Sequence, residues 1–307
     1  MERYFRFSIL SIITTYLLIF FGGLVRVSGA GMGCPDWPKC FGRWIPPTNI
    51  NQVPEIYIEK FNIVLAWVEY INRLFGAVVG FVILLSCLFA YLYFKKNKDV
   101  FFPMLAALIL TLVQGWLGSV LVHSVLNPIT ITFHLLLALI IIGLIIYSAI
   151  RAYTVIKGNS EVNSNYPKKV KWLIFSIMIC MVIEIIIGTE IRGALDMSRK
   201  DNPLIEGAIL LKMLGSFKYV HTVLGIFLIS ITYILRNVLI NLELSCSRLM
   251  LFSVNSMFVI FFLQILSGEF LVFFDVRPVI QLFHMWFSSL LIGLCVVQYT
   301  CFKISKI

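Results

Sequence analysis

The chain has 307 residues, of which 60% are hydrophobic and only 13% charged, and its formal net charge is +10 at pH 7. A mean hydropathy of +0.96 excludes a soluble globular protein, because runs of about 20 apolar residues are typical of membrane-spanning helices. A nucleic-acid-binding role is also excluded, since the basic residues form no soluble face with groove-reading or aromatic elements.

Eight apolar runs follow one another along the chain. The approximate spans that they predict are 8–26, 64–94, 101–122, 130–152, 172–190, 219–240, 249–270 and 279–302. The first run is long enough to span, and no small-residue cleavage site follows it, so we expect it to stay as a membrane helix rather than to be removed as a signal peptide. The pattern therefore predicts an all-α membrane protein with eight transmembrane helices.

Lysine and arginine predict the orientation of these helices. The short connections 95–99 and 151–171 are rich in both residues, and short basic loops stay in the cytoplasm. An even number of spans then places both termini in the cytoplasm. The long connections 27–63 and 191–218 are expected outside.

An internal repeat divides the chain into two halves. Residues 114–143 align with residues 264–293 at an offset of 150, and two shorter segments align at offsets of 149 and 166. The matched positions include Gln114 and Gln264, Gly118 and Gly268, His134 and His284, Asn72 and His221, Gly22 and Gly188, and Arg26 and Arg192. Fixed-offset similarity indicates a duplicated unit. It predicts two tandem, pseudo-symmetric four-helix bundles, 1–153 and 172–307, joined by a cytoplasmic linker at 154–171.

Three of the four histidines occupy repeated positions. His221 and His284 are predicted at similar depth on two parallel helices of the second half, roughly 4–13 Å below the outer surface at about 1.5 Å per residue. Two imidazoles at one depth in a bundle are what axial ligation of a haem iron requires. A hydrogen-bonded pair of core histidines is the alternative, although ionisable groups inside membranes are usually functional.

The first half keeps His134 but has Asn72 at the position of His221. An asparagine amide is a poor haem ligand, so this half is expected to hold iron through one axial protein ligand or to bind a tetrapyrrole mainly by packing. Such an open position suits a reactive centre, and a decayed site would look the same. Glu69, one helical turn before Asn72, is a candidate general base, or it simply pairs with Arg73.

Two cysteines stand in the first outer loop. Cys34 and Cys40 are separated by five residues and face the oxidising side, so we expect them to form a disulfide. The bond could be a structural staple of the loop or a redox centre.

Residues 22–29 (Gly-Gly-Leu-Val-Arg-Val-Ser-Gly) lead into the first outer loop, which contains Cys-Pro-Asp-Trp-Pro-Lys-Cys at 34–40. These two stretches resemble the first loop of heme A synthase, a membrane enzyme of cytochrome oxidase assembly. Residues 69–73 resemble its Glu-x-x-His-Arg element, and residues 188–192 (Gly-Thr-Glu-Ile-Arg) resemble the start of its second half. The similarity extends over the whole chain.

The resemblance implies an oxidoreductase that converts the C8 methyl of heme O to a formyl group, giving heme A for cytochrome oxidase. It implies heme b as a cofactor in the C-terminal half, with iron held by His221 and His284, and heme O in the N-terminal half, ligated by His134. Glu69 would be a catalytic residue close to the reacting edge, with Arg73 helping to place the substrate. Implied partners are heme O synthase, oxidase assembly proteins and membrane lipid, in the bacterial cytoplasmic membrane.

Two positions depart from the family pattern, and two other functions remain open. Asn72 replaces the usual histidine, and loop 191–218 lacks the cysteine pair that some members carry. One alternative is a b-type cytochrome that only carries electrons. The other is a thiol-disulfide oxidoreductase that uses Cys34 and Cys40.

Overall fold

A computed structural model of the chain describes residues 1–157, 166–201, 215–242, 248–274 and 276–304, together with residue 209. Within these ranges the chain forms eight α-helices that are long and apolar enough to cross a membrane. They are α1 (Glu2–Val27), α2 (Ile63–Phe94), α3 (Lys98–His123), α4 (Pro128–Lys157), α5 (Lys168–Asp201), α6 (Phe217–Asn241), α7 (Arg248–Phe273) and α8 (Pro278–Ile304). The predicted all-α class with eight membrane-spanning helices is confirmed.

The helices are longer than the apolar runs. α5 continues to Asp201, so helix occupies the start of the predicted outer loop 191–218. α4 and α5 likewise enter the predicted linker from its two ends, and residues 158–165 of that linker lie outside the described residues. A helix can extend beyond the bilayer because its backbone hydrogen bonds do not depend on apolar side chains. A hydropathy pattern does not detect such polar helical turns.

The same turn precedes the last helix of each half. Leu126 and Val276 both have left-handed backbone, with φ of 59° and 52°, a conformation that is uncommon for residues other than glycine. In both turns the N–H donates to the carbonyl five residues earlier, at 3.0 Å. The helix that follows begins at Pro128 or Pro278, where the missing N–H costs no helical hydrogen bond. The repeat seen in the sequence is thus also a repeat of backbone geometry.

Contacts divide the chain into two compact units. The first unit is Arg6–Ile145, and the second joins Met1–Phe5 to Ile146–Ile307. In the second unit α5 packs against α6 and α8, and α7 packs against the same two helices, so each has two neighbours in a ring. In the first unit α2 packs against α3 and against a short 3-10 helix, Ala30–Met32.

Polar side chains inside the helices mostly find partners within the same unit. Ser11 and Ser86 hydrogen-bond at 2.8 Å in the first unit, and Gln298 donates to Ser253 at 2.9 Å in the second. Large apolar side chains instead cover the outer faces: Leu112 is 70% exposed and Phe252 67%. This distribution is the one expected of helices surrounded by lipid, where unpaired polar groups are costly.

Candidate functional site

The two histidines of the second unit lie close together. His221 on α6 and His284 on α8 have ring centroids 6.3 Å apart. A metal–imidazole nitrogen bond is about 2 Å long and the ring centroid lies about 1 Å behind the nitrogen, so two imidazoles on opposite sides of one iron would have centroids about 6 Å apart. The observed separation therefore fits a shared haem iron. It is too long for a direct hydrogen bond between the rings.

The ligand set also fits haem better than a bare metal ion. No group of three or more His, Cys, Asp or Glu side chains in the described residues could hold such an ion. Two imidazoles alone are an incomplete set for a bare ion, whereas a haem brings four nitrogens and needs only axial ligands.

Ser267 on α7 selects the ring nitrogen that His284 can offer to iron. Its Oγ lies 2.9 Å from Nδ1 of His284 and also donates to the carbonyl of Gln264 at 3.0 Å. A hydroxyl has one proton, so when Ser267 gives that proton to the carbonyl its oxygen accepts from Nδ1–H. In the neutral ring Nε2 then carries the lone pair, which is the nitrogen needed for ligation.

A carboxylate stands at the corresponding place beside His221. Oε1 of Glu184, on α5, lies 3.1 Å from Nδ1 of His221. The two atoms are not aligned as a hydrogen bond, and Nδ1 has no other hydrogen-bond partner among the described residues. A carboxylate only accepts, so this neighbour also favours the tautomer with the proton on Nδ1.

Two repeated glycines provide room for these rings. A Cβ placed on Gly188 of α5 would lie 3.2 Å from Cε1 of His221, and one on Gly268 of α7 would lie 3.3 Å from Cε1 of His284. Both distances are shorter than ordinary carbon–carbon contacts of about 3.5–4.0 Å. Each glycine is therefore part of the wall against which an imidazole packs.

The first unit has a different arrangement at the equivalent positions. Nδ1 of His134 is buried and has no hydrogen-bond partner in the described part of the chain, and the same holds for Oδ1 of Asn72. Gln114 on α3 donates to the backbone carbonyl of His134 at 2.9 Å. A Cβ on Gly22 or Gly118 would have no described heavy atom within 4 Å. The first unit therefore keeps the histidine and the two glycines, but its glycines do not pack against a described imidazole as Gly188 and Gly268 do.

Glu69 and Arg73, the predicted catalytic pair, hold the first loop onto α2. Glu69 is 4% exposed; one carboxylate oxygen accepts the N–H of Cys34 at 2.9 Å and the other is bonded to Arg73. Arg73 also donates to the backbone carbonyls of Asp36 at 2.8 Å and Lys39 at 3.0 Å. The alternative in which Glu69 pairs with Arg73 is therefore seen, together with loop contacts that the sequence did not predict.

The loop between the cysteines is tightly built. Cys34 and Cys40 form a disulfide, with Cα atoms 4.7 Å apart, and both are fully buried. The carboxylate of Asp36 accepts the N–H groups of Phe41 at 2.6 Å and Gly42 at 2.8 Å. These bonds support two residues with positive φ.

Gly33 brings the loop against the start of α2. A Cβ at this position would lie 2.4 Å from the carbonyl oxygen of Leu65, so only glycine allows this approach. The close contact lets the Cys34 N–H reach Glu69.

Sequence reasoning missed Glu184 and Ser267. The alignment of the two halves contains a signal for both, because the offsets that pair the glycines also pair Glu184 with Leu18 and Ser267 with Leu117. Identity between the halves does not mark these two residues, because both differ from their equivalents.

The chain is similar to known proteins over most of its length. Residues 5–296 match the COX15-CtaA model, described as cytochrome oxidase assembly protein. The chain belongs to this family. The family suggested by the first loop is thereby confirmed.

Similar proteins named heme A synthase occur in several bacteria. The protein of Ehrlichia canis is 25% identical over 95% of this chain and 90% of its own length. That of Pelagibacter ubique is 25% identical over 92% and 87%, respectively. That of Shewanella oneidensis is 30% identical, but the match covers only 52% of this chain and 49% of the relative. Two of these matches thus extend over almost the whole chain, including both units.

Proposed function

We propose that the protein is a heme A synthase, an oxidoreductase that converts the C8 methyl of heme O to the formyl group of heme A for cytochrome oxidase. The observation that carries this proposal is the close pair His221 and His284, with centroids 6.3 Å apart, in a chain of the cytochrome oxidase assembly family. The relatives named heme A synthase support the same activity.

His221 and His284 are the proposed axial ligands of a resident heme b. Their Nδ1 atoms face Glu184 and Ser267, which leaves each Nε2 for iron. A heme b bound there would supply one-electron transfer. The protein contributes the two imidazoles, their fixed orientation, and an apolar surround from the helices.

The first unit is the proposed site for heme O. His134 would supply one axial ligand, and Asn72 occupies the position of the second without being a good ligand. Glu69 is the proposed acidic group near the reacting methyl. Its attachment to Cys34 and Arg73 would make the position of that carboxylate depend on the ordered first loop, and orientation supplies much of a barrier reduction.

Burial of the disulfide argues against a thiol-disulfide oxidoreductase. Exchange requires a thiolate to reach one sulfur, and both Cys34 and Cys40 are fully buried under their own loop. We therefore assign the bond a structural role, holding the segment that meets Glu69 and Arg73.

We place the protein in the bacterial cytoplasmic membrane with both termini in the cytoplasm. The support is the basic composition of the short connections 95–99 and 151–171. Heme O synthase, as the source of substrate, and oxidase assembly proteins, as recipients of heme A, are the proposed partners.

Pigment extraction from cells tests the proposed function against an electron-carrying b-type cytochrome. The chain is co-expressed with a heme O synthase in a host that makes no heme A, and extracted haems are separated by chromatography. A synthase yields heme A, whereas a b-type carrier leaves heme O unchanged. Cells with heme O synthase alone are the control, and absence of heme A above that control would reject the proposal.

A further inference from the structure

Glu184 is a carboxylate inside a membrane helix for which the proposed reaction gives no role. It lies four residues before Gly188 on α5, and its Oε2 is buried without a hydrogen-bond partner in the described residues. Carboxylates in membrane spans are costly and generally functional. Its Oε1 lies 3.1 Å from Nδ1 of His221.

Glu184 lies beside a glycine that has an equivalent in the first unit. A Cβ on Gly225 would lie 3.4 Å from Oε1 of Glu184, and a Cβ on the equivalent Gly76 would lie 4.0 Å from Cδ2 of Leu18. The two glycines and the two facing residues are therefore equivalent in space as well as in sequence. The two units differ at this place by a carboxylate in one and a methyl group in the other.

Ser267 shows the same difference for the other histidine. It binds Nδ1 of His284 at 2.9 Å, while the equivalent residue of the first unit is Leu117, and Nδ1 of His134 has no partner among the described residues. Both imidazoles of the second unit thus have a polar group at Nδ1, and the first unit has leucines at both equivalent positions.

We propose that Glu184 and Ser267 are positioning residues at Nδ1 of His221 and His284, Ser267 through its hydrogen bond and Glu184 through its carboxylate charge 3.1 Å from the ring nitrogen, and that they make the second unit the one that retains its haem. Acceptors at Nδ1 fix the ring orientation and make Nε2 a stronger donor to iron. Leu18 and Leu117 leave the first unit without this support, which suits a site whose haem must enter and leave. This inference rests on the proposed ligation of heme b by the two histidines.

Glu184→Leu, which copies the first unit, is the main test. The purified full-length protein is mixed with an excess of apomyoglobin, and haem transfer is followed by absorbance. Loss of such an outer group typically costs about 10–100-fold in metal affinity, so we expect haem transfer at least about tenfold faster than in wild type. Ser267→Leu is expected to act in the same direction.

Glu184→Gln keeps the size of the side chain and tests the role of its charge. We expect the low-spin spectrum to remain and the midpoint potential to rise, because a neutral acceptor stabilises ferric iron less. A shift of about 59 mV corresponds to a tenfold change in the ferric-to-ferrous ratio for a one-electron couple. If Glu184→Leu fails to accumulate in membranes, this variant still decides the question.

Glu190→Gln is the matched control, because it removes a carboxylate from the exposed side of the same helix. Haem transfer rates and potentials of the Glu184 variants equal to those of Glu190→Gln would overturn the positioning role. His221→Ala separates this result from failure of the proposed function. If His221→Ala keeps a normal low-spin haem, the ligand assignment itself is wrong, whereas loss of that haem together with unaffected Glu184 variants rejects only the positioning role.

Discussion

The two units repeat one pattern of helices and glycines but support their histidines differently. In the second, His284 packs on Gly268 and binds Ser267; in the first, His134 makes neither contact with Gly118 nor a hydrogen bond through Nδ1 among the described residues. A duplicated scaffold can therefore keep its ligand positions while the surrounding groups change. Under the proposed assignment, the groups around the histidines, more than the histidines themselves, distinguish the unit that holds its haem from the unit that binds the substrate haem.

At the first loop, the additional polar contacts belong to the first unit instead of the second. Glu69 and Arg73 bind the disulfide loop in the first unit, and the equivalent positions of the second unit are Lys218 and Thr222. The acidic group proposed for catalysis, Glu69, thus belongs to the first unit. In that unit Nδ1 of His134 has no hydrogen-bond partner among the described residues. Substitutions at equivalent positions should therefore have different effects in the two units.

Glu69→Gln should have the largest effect on activity. It keeps the shape of the side chain but removes the basic carboxylate, and general acid–base groups contribute about 100-fold or more to rate. Heme A formation in the co-expression assay should fall by about 100-fold, while the resident heme b spectrum stays normal. A normal rate of heme A formation would remove Glu69 from the proposed chemistry.

Paired glycine substitutions test the packing of the two histidines. Gly268→Ala places a Cβ 3.3 Å from His284, and overpacking of this kind costs about 1 kcal/mol or more, which is about fivefold in affinity. We expect a clear drop in heme b per protein after purification. Gly118→Ala, at the equivalent open position, is the control and should leave heme b content unchanged; equal losses in both variants would contradict the difference between the units.

Asn72→His tests whether the first unit can be converted toward the second. The new imidazole could supply a second axial ligand opposite His134, so bound heme O should shift toward a six-coordinate, low-spin spectrum. The measurement is the difference spectrum of protein loaded with heme O, compared with wild type. An unchanged spectrum would indicate that position 72 does not face the iron.

The Cys34–Cys40 disulfide is tested by thiol labelling and not by a change in activity. Cys34 and Cys40 are buried in a disulfide, so a thiol reagent applied to the denatured protein without reductant should label neither, and prior reduction should make both reactive. Peptide mass analysis separates them from the remaining cysteines. Full labelling of both without reductant would mean that another contact, such as Asp36 with the Phe41 N–H, holds the loop.

The spans, the repeat and the proximity of His221 to His284 could be predicted because each leaves a local signal: apolar runs, fixed offsets and rare polar residues in helices. The extension of α5 to Asp201 could not, since its last turns are polar. The attachment of Glu69 to the Cys34 N–H depends on the close approach at Gly33, which requires the three-dimensional path of the loop. In the sequence, Glu184 differs from its equivalent Leu18, but its proximity to His221 could be recognised only from the structure.

The central claim, that the resident haem belongs to the second unit, is tested most directly by comparing His284→Ala with His134→Ala in protein purified without heme O. The measurement is the low-spin b-type absorbance per protein. We predict that His284→Ala abolishes it, as does His221→Ala, and that His134→Ala retains it. Retention in His284→Ala together with loss in His134→Ala would contradict the account.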